Sequence, residues 1–74
     1  MAPEDIENRF KYHPPLTPEI GRQHDRIRTY LGQMATELNE TLPESREKSL
    51  AITHLEETMM WANAAIARNQ EAGQ

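Results

Sequence analysis

Two stretches of the chain carry apolar residues at helical spacing. In the last third, Ser45 to Asn69, the apolar residues Ile52, Leu55, Met59, Ala62 and Ile66 recur at steps of three, four, three and four. That spacing puts them on one stripe of an α-helix. No proline or glycine interrupts the run, and strong helix formers supply most of it. Upstream, Ile20, His24, Ile27, Leu31, Met34 and Leu38 form a second stripe with a coiled-coil-like rhythm. Its start is marked by Thr17 as a cap and by Pro18 in the first turn.

Between the two stripes lies NETLPES, Asn39 to Ser45. Pro43 disfavours helix at Leu42, and Thr41 or Ser45 can cap the second long helix. Two seams of similar length joined by a short turn predict an antiparallel helical hairpin, with helices over 17–41 and 44–70. A third, shorter helix is predicted before it. Pro3 suits a first helical position, Glu4 and Asp5 suit the positive end of the dipole, and Ile6 and Phe10 make one apolar edge. Eight residues do not hold a helix alone in water, so this piece must dock on its own hairpin or on a neighbouring subunit. The expected class is all-α in a single domain, 1–74, with residues 1–15 forming the short helix and a strap. Gln70 to Gln74 is expected to fray. Gly21 and Gly32 fall inside the first long helix, where they mark either close backbone approach or tolerance.

If the turn centres near Pro43, facing residues of the hairpin have numbers summing to about 86. Arg68 then falls at the open end, level with Pro18 and Arg22. The strap Lys11 to Pro15, KYHPP, begins at that end too. Its two prolines lock φ and push His13 into an extended conformation, so Tyr12 and His13 are held at low entropic cost. Tyr30, Met60, Trp61, Ala64 and Ala65 lie off the internal seam, and an exposed apolar set of this kind marks an interface between subunits.

Size sharpens that expectation. A chain of 74 residues buries only about 60% of the surface its unfolded form exposes. With no cysteine there is no disulfide or thiolate metal site to add stability, so association of subunits is the remaining route. The net charge of −4 argues against general binding to DNA. The charge is uneven: residues 9 to 28 carry five cations against two carboxylates, a local +3, while residues 37 to 57 carry six carboxylates against two cations, a local −4. The open end can therefore attract an anion, although solvated helix faces explain the same charges. The amino-terminal MAPEDIENRF has no apolar run, and no stretch reaches the ~20 apolar residues of a membrane span, so a cytoplasmic location is expected.

Catalysis finds little support. There is no serine–histidine–acid pattern and no phosphate-cradling glycine loop, and His13, His24 and His54 are scattered. His24 sits on an apolar stripe as a packed, hydrogen-bonded histidine would. Glu56 and Glu57 beside His54 suit a solvated face. Recognition fits better. A tyrosine on a rigid strap beside arginines offers a flat ring for a base and guanidinium groups for phosphates. Tyr12 could equally be a simple anchor for the strap.

The run NRFKYHPP at 8 to 15, with SREKSLAITHLEETMMWANAAIARN at 45 to 69, resembles the phage anti-CBASS cyclic-nucleotide sponges. These are related to the Thoeris anti-defence sponges through a shared helical hairpin domain. The resemblance implies a small helical hairpin assembled into a compact homo-hexamer, without catalytic activity and without a cofactor or metal. It implies sequestration of cyclic oligonucleotide signals in the cytoplasm of the infected bacterial host. One kind of pocket, between paired subunits, takes cyclic dinucleotides such as cyclic GMP-AMP. Another, on a threefold axis, takes cyclic trinucleotides such as cyclic triadenylate. Carried onto this chain, Tyr12 stacks on a base of the dinucleotide, with His13 beside it. The basic partner on the first long helix is Arg26, or next Arg28. Thr29 and Arg68 match the trinucleotide site. They stand far apart within one hairpin, so different subunits must supply them. The reading from another class is a non-enzymatic structural or regulatory oligomer that binds a partner helix or structured RNA.

Overall fold

The structure, a computed structural model, describes residues 1–70. Three helices follow one another: α1 (Pro3–Phe10), α2 (Pro18–Thr41) and α3 (Arg46–Arg68). Helices α2 and α3 pack against each other as the predicted hairpin. The antiparallel register is fixed by His24 and Asn63, whose Nδ1 and Oδ1 lie 2.8 Å apart. Their numbers sum to 87, so the turn sits where Pro43 put it.

Each long helix starts on a side-chain cap. The Thr17 hydroxyl accepts from the Ile20 amide at 3.2 Å, and the Ser45 hydroxyl accepts from the Lys48 amide at 3.1 Å. Caps of this kind contribute about 1 kcal/mol each. The second helix of the hairpin begins at Arg46 rather than at residue 44, because the chain bends through the turn and Ser45, itself extended, supplies the cap. It ends at Arg68 rather than at residue 70. Asn69 leaves helical geometry, with ψ at 15°, and folds its side-chain amide back onto the Ala65 carbonyl at 2.9 Å.

Ile20 is the single buried apolar residue among those described. His24, Ile27, Leu31 and Leu38 follow it along the seam half-buried, facing Ile52, Leu55, Met59, Ala62 and Ile66 of α3. One expected seam residue is displaced. Met34 is 49% exposed and Ala35 takes its place, lining a groove with Leu31, Ile52 and Leu55. A straight helix advances 3.6 residues per turn, so a 3.5-residue rhythm drifts off the seam after a few turns. Neither Gly21 nor Gly32 has an atom within 4 Å of where a Cβ would sit, so within one protomer both are tolerated rather than required. Lys48, expected among the solvated charges, is buried at 6% exposure with its ammonium on Glu44.

The protomer is a slab of 45 × 31 × 12 Å with a radius of gyration of 15.5 Å. A compact chain of this length has a radius of gyration of roughly 11 Å. Its accessible surface is 5895 Å², against roughly 4,700 Å² for a compact monomer of its mass. Much of the excess is apolar. Phe10 is 83% exposed, Trp61 68%, and Ile6, Tyr30 and Met60 are exposed as well. No residue of α1 is buried, so its Ile6–Phe10 edge is left largely uncovered by the described residues.

Candidate nucleotide-binding site

The site is built on the strap between α1 and α2. Two attachments hold the strap. His13 donates from Nε2 to the Asn8 carbonyl at 2.7 Å, which folds the strap back onto α1. At the other end the side chain of Gln70 grips the strap from both sides. Its Oε1 accepts from the Leu16 amide at 3.0 Å, and its Nε2 donates to the Pro14 carbonyl at 3.0 Å. A further bond from Nε2 to the Ala67 carbonyl, 3.2 Å, seats Gln70 on the last turn of α3. Gln70, expected to fray, instead ties the open end of the hairpin together. The signal for it lies in the strap: backbone groups next to prolines have no helix or sheet partners and must find side chains or water. The remainder of the tail expected to fray, 71–74, lies outside the described residues.

Next to the His13 attachment, Tyr12 projects into solvent, 83% exposed. With His13 it borders two clefts. One, of about 370 Å³, is lined by Tyr12, His13, Pro15, Gly21, His24, Asp25 and Arg28. The other, of about 270 Å³, has Lys11, Asn8 and Leu16 on the strap side and Ala67, Arg68 and Gln70 on α3. Each cleft thus combines the tyrosine ring with at least one cationic side chain, at the end of the hairpin where local charge is positive.

Arg28 and Arg26 part company here. Arg28 lies on the same α2 face as Gly21 and His24, two turns beyond the first and one beyond the second, and lines the first cleft. Arg26 is two residues away, about 200° round the helix, and does not line it. Arg28 is already engaged: its Nη2 donates to Asp25 Oδ1 at 3.0 Å, with both side chains more than half exposed. An anion entering the cleft competes with that carboxylate.

Arg68 stands over the Trp61 ring, 5.9 Å from its centroid, a cation–π arrangement one pair of turns apart on α3. One of its amino groups also reaches the Arg9 carbonyl at the end of α1, at 3.5 Å. Thr29 is exposed and lines neither cleft. In the register set by His24 and Asn63, Thr29 faces about residue 58, so Arg68 lies about ten residues, or 15 Å, further along. The two do not meet within one protomer.

His24, with Asn63 as its partner, is a packed and hydrogen-bonded seam histidine. His54 and Glu57 sit 4.0 Å apart on an exposed face. Among the described residues no group of three or more His, Asp or Glu side chains is arranged to hold a metal ion. No described helix is long and apolar enough to cross a membrane.

The sequence that builds this hairpin, its preceding helix and the strap matches a known family. The sequence model described as Acb2/Tad1, hairpin domain, covers residues 2–67, which is all three helices but for Arg68. The chain belongs to the Acb2/Tad1 hairpin-domain family. No curated protein and no solved structure matches the chain. The match takes in α1 and the strap as well as the hairpin, so the candidate site falls almost wholly inside the family's domain. Only Arg68 and Gln70 lie just beyond it.

Proposed function

We propose that this chain is a phage anti-defence sponge. It binds cyclic oligonucleotide second messengers and withholds them uncleaved, so that CBASS-type immune effectors in the host cytoplasm are not activated. The ligands are cyclic dinucleotides such as cyclic GMP-AMP and cyclic trinucleotides such as cyclic triadenylate. The observation that carries this reading is membership of the Acb2/Tad1 hairpin family over residues 2–67.

The geometry of the protomer supports it in two ways. Tyr12 is free to stack on a base, since it is exposed and held on a strap fixed at both ends. Arg28 supplies a guanidinium on the same cleft for a phosphate, and His13 borders it. Arg26 points elsewhere on α2 and would serve a pocket completed by another subunit. Thr29 and Arg68 form the trinucleotide pocket only when different subunits contribute them.

Assembly is therefore part of the function. Neither cleft exceeds about 370 Å³, and a slab 12 Å thick has no depth in which to bury a cyclic dinucleotide. Nanomolar binding requires about 12 kcal/mol, and stacking supplies about 1–3 kcal/mol per base. Charge-assisted hydrogen bonds to the phosphates must supply the rest, which a closed, multi-subunit pocket would allow. The exposed Ile6, Phe10, Met60 and Trp61 are the surfaces on which a homo-hexamer would close.

A thermal-shift screen with cyclic nucleotides tests the reading. A ligand at 100 times its Kd adds about 2.7 kcal/mol. For a domain this small that raises Tm by on the order of 10 °C. Linear dinucleotides should raise it far less. No shift with any cyclic di- or trinucleotide would favour the structural or regulatory oligomer instead.

A further inference from the structure

We infer that Gln70 is a positioning residue for cyclic dinucleotide binding: its side-chain amide fixes the strap that presents Tyr12. The inference rests on the sponge reading and adds to it a residue outside the family's matched span.

Gln70 makes both of its polar ends work across the chain. Oε1 takes the Leu16 amide and Nε2 supplies the Pro14 carbonyl, each at 3.0 Å, across separations of 54 and 56 residues. A third bond, to the Ala67 carbonyl, fixes the side chain to α3. These bonds stand in for contacts that the strap otherwise lacks. Tyr12, Pro14, Pro15 and Leu16 are exposed, and α1 has no buried residue to hold its end down. The prolines narrow the strap's internal freedom but do not fix it to the hairpin. The Gln70 amide does, while His13 on Asn8 ties the segment next to Tyr12 to α1. With the clamp open, the strap must be ordered when ligand binds, and affinity falls by the entropy of that ordering.

The test compares the full chain with Gln70→Ala and with Gln70→Met, which keeps length and volume but cannot form the bonds. Cyclic GMP-AMP and cyclic triadenylate are titrated by calorimetry, and exchange of the Leu16 amide is followed by NMR. The expected result is a loss of about tenfold in cyclic GMP-AMP affinity for both variants, the size of fixing about one backbone residue. The loss should be entropic. Cyclic triadenylate affinity should change less than about threefold, and the Leu16 amide should exchange faster while native mass is unchanged. Three outcomes overturn the inference: cyclic GMP-AMP affinity within twofold of wild type once the Leu16 amide is freed, Gln70→Met binding as wild type does, or equal losses for both ligands. Tyr12→Ala, measured alongside, separates the two levels. If Tyr12→Ala abolishes cyclic GMP-AMP binding and the Gln70 variants do not weaken it, only the clamp fails. If Tyr12→Ala binds normally, the underlying assignment fails.

Discussion

Tyr12→Ala is expected to abolish binding of cyclic GMP-AMP and to leave the protein folded and assembled. The side chain is 83% exposed and takes no part in the α2–α3 seam, so its removal costs the protomer little. In the proposed pocket between paired subunits its loss would count twice, because each subunit would stack one ring on the ligand. At about 1–3 kcal/mol per stacked base, the pair accounts for about 2–6 kcal/mol, a weakening of thirtyfold to complete loss. Tyr12→Phe, which keeps the ring, should bind within a few-fold of wild type. Calorimetry decides the matter: unchanged affinity for Tyr12→Ala would mean that the ring only anchors the strap.

Arg68→Ala is expected to remove cyclic triadenylate binding while cyclic GMP-AMP is retained. The proposed threefold pocket would use three copies of the residue, one for each phosphate. Hydrogen bonds to charged groups contribute about 1.5–3 kcal/mol each, so losing three takes binding below detection. The protomer also indicates how the side chain is held ready, stacked on Trp61 and leaning on the Arg9 carbonyl. Arg68→Lys keeps the charge but gives up the planar fork and part of the stacking, and should fall between wild type and Arg68→Ala. Loss of both ligands together in Arg68→Ala would contradict the separation into two pockets.

The hairpin is legible in the sequence because its cues are local and agree with one another. Thr17 and Ser45 cap, Pro43 breaks, and two apolar stripes face each other at helical spacing. From these the register comes to within one residue of the His24–Asn63 pair. The exchange of Met34 for Ala35 comes from a 3.5-residue rhythm assumed where a straight helix keeps 3.6. The candidate site is less legible, since it is made of long-range contacts. Arg26 and Arg28 look alike as letters, and only their position relative to Gly21 and His24 separates them around α2. Gln70 lies beyond the helix in a tail with no apolar pattern, and nothing local tells it from a frayed end. Its role emerges only when the free backbone groups of Pro14 and Leu16 are asked for partners. Lys48 escapes sequence reading for a similar reason: a charged residue in an acidic stretch reads as solvated until the turn folds over it.

The most direct measurement is native mass spectrometry of the purified protein mixed with cyclic GMP-AMP and cyclic triadenylate, followed by heat release and chromatography of the nucleotides. The account predicts a hexamer that carries both ligands, each recovered intact. A species of one chain, or nucleotides that pass through unretained or emerge cleaved, would contradict it.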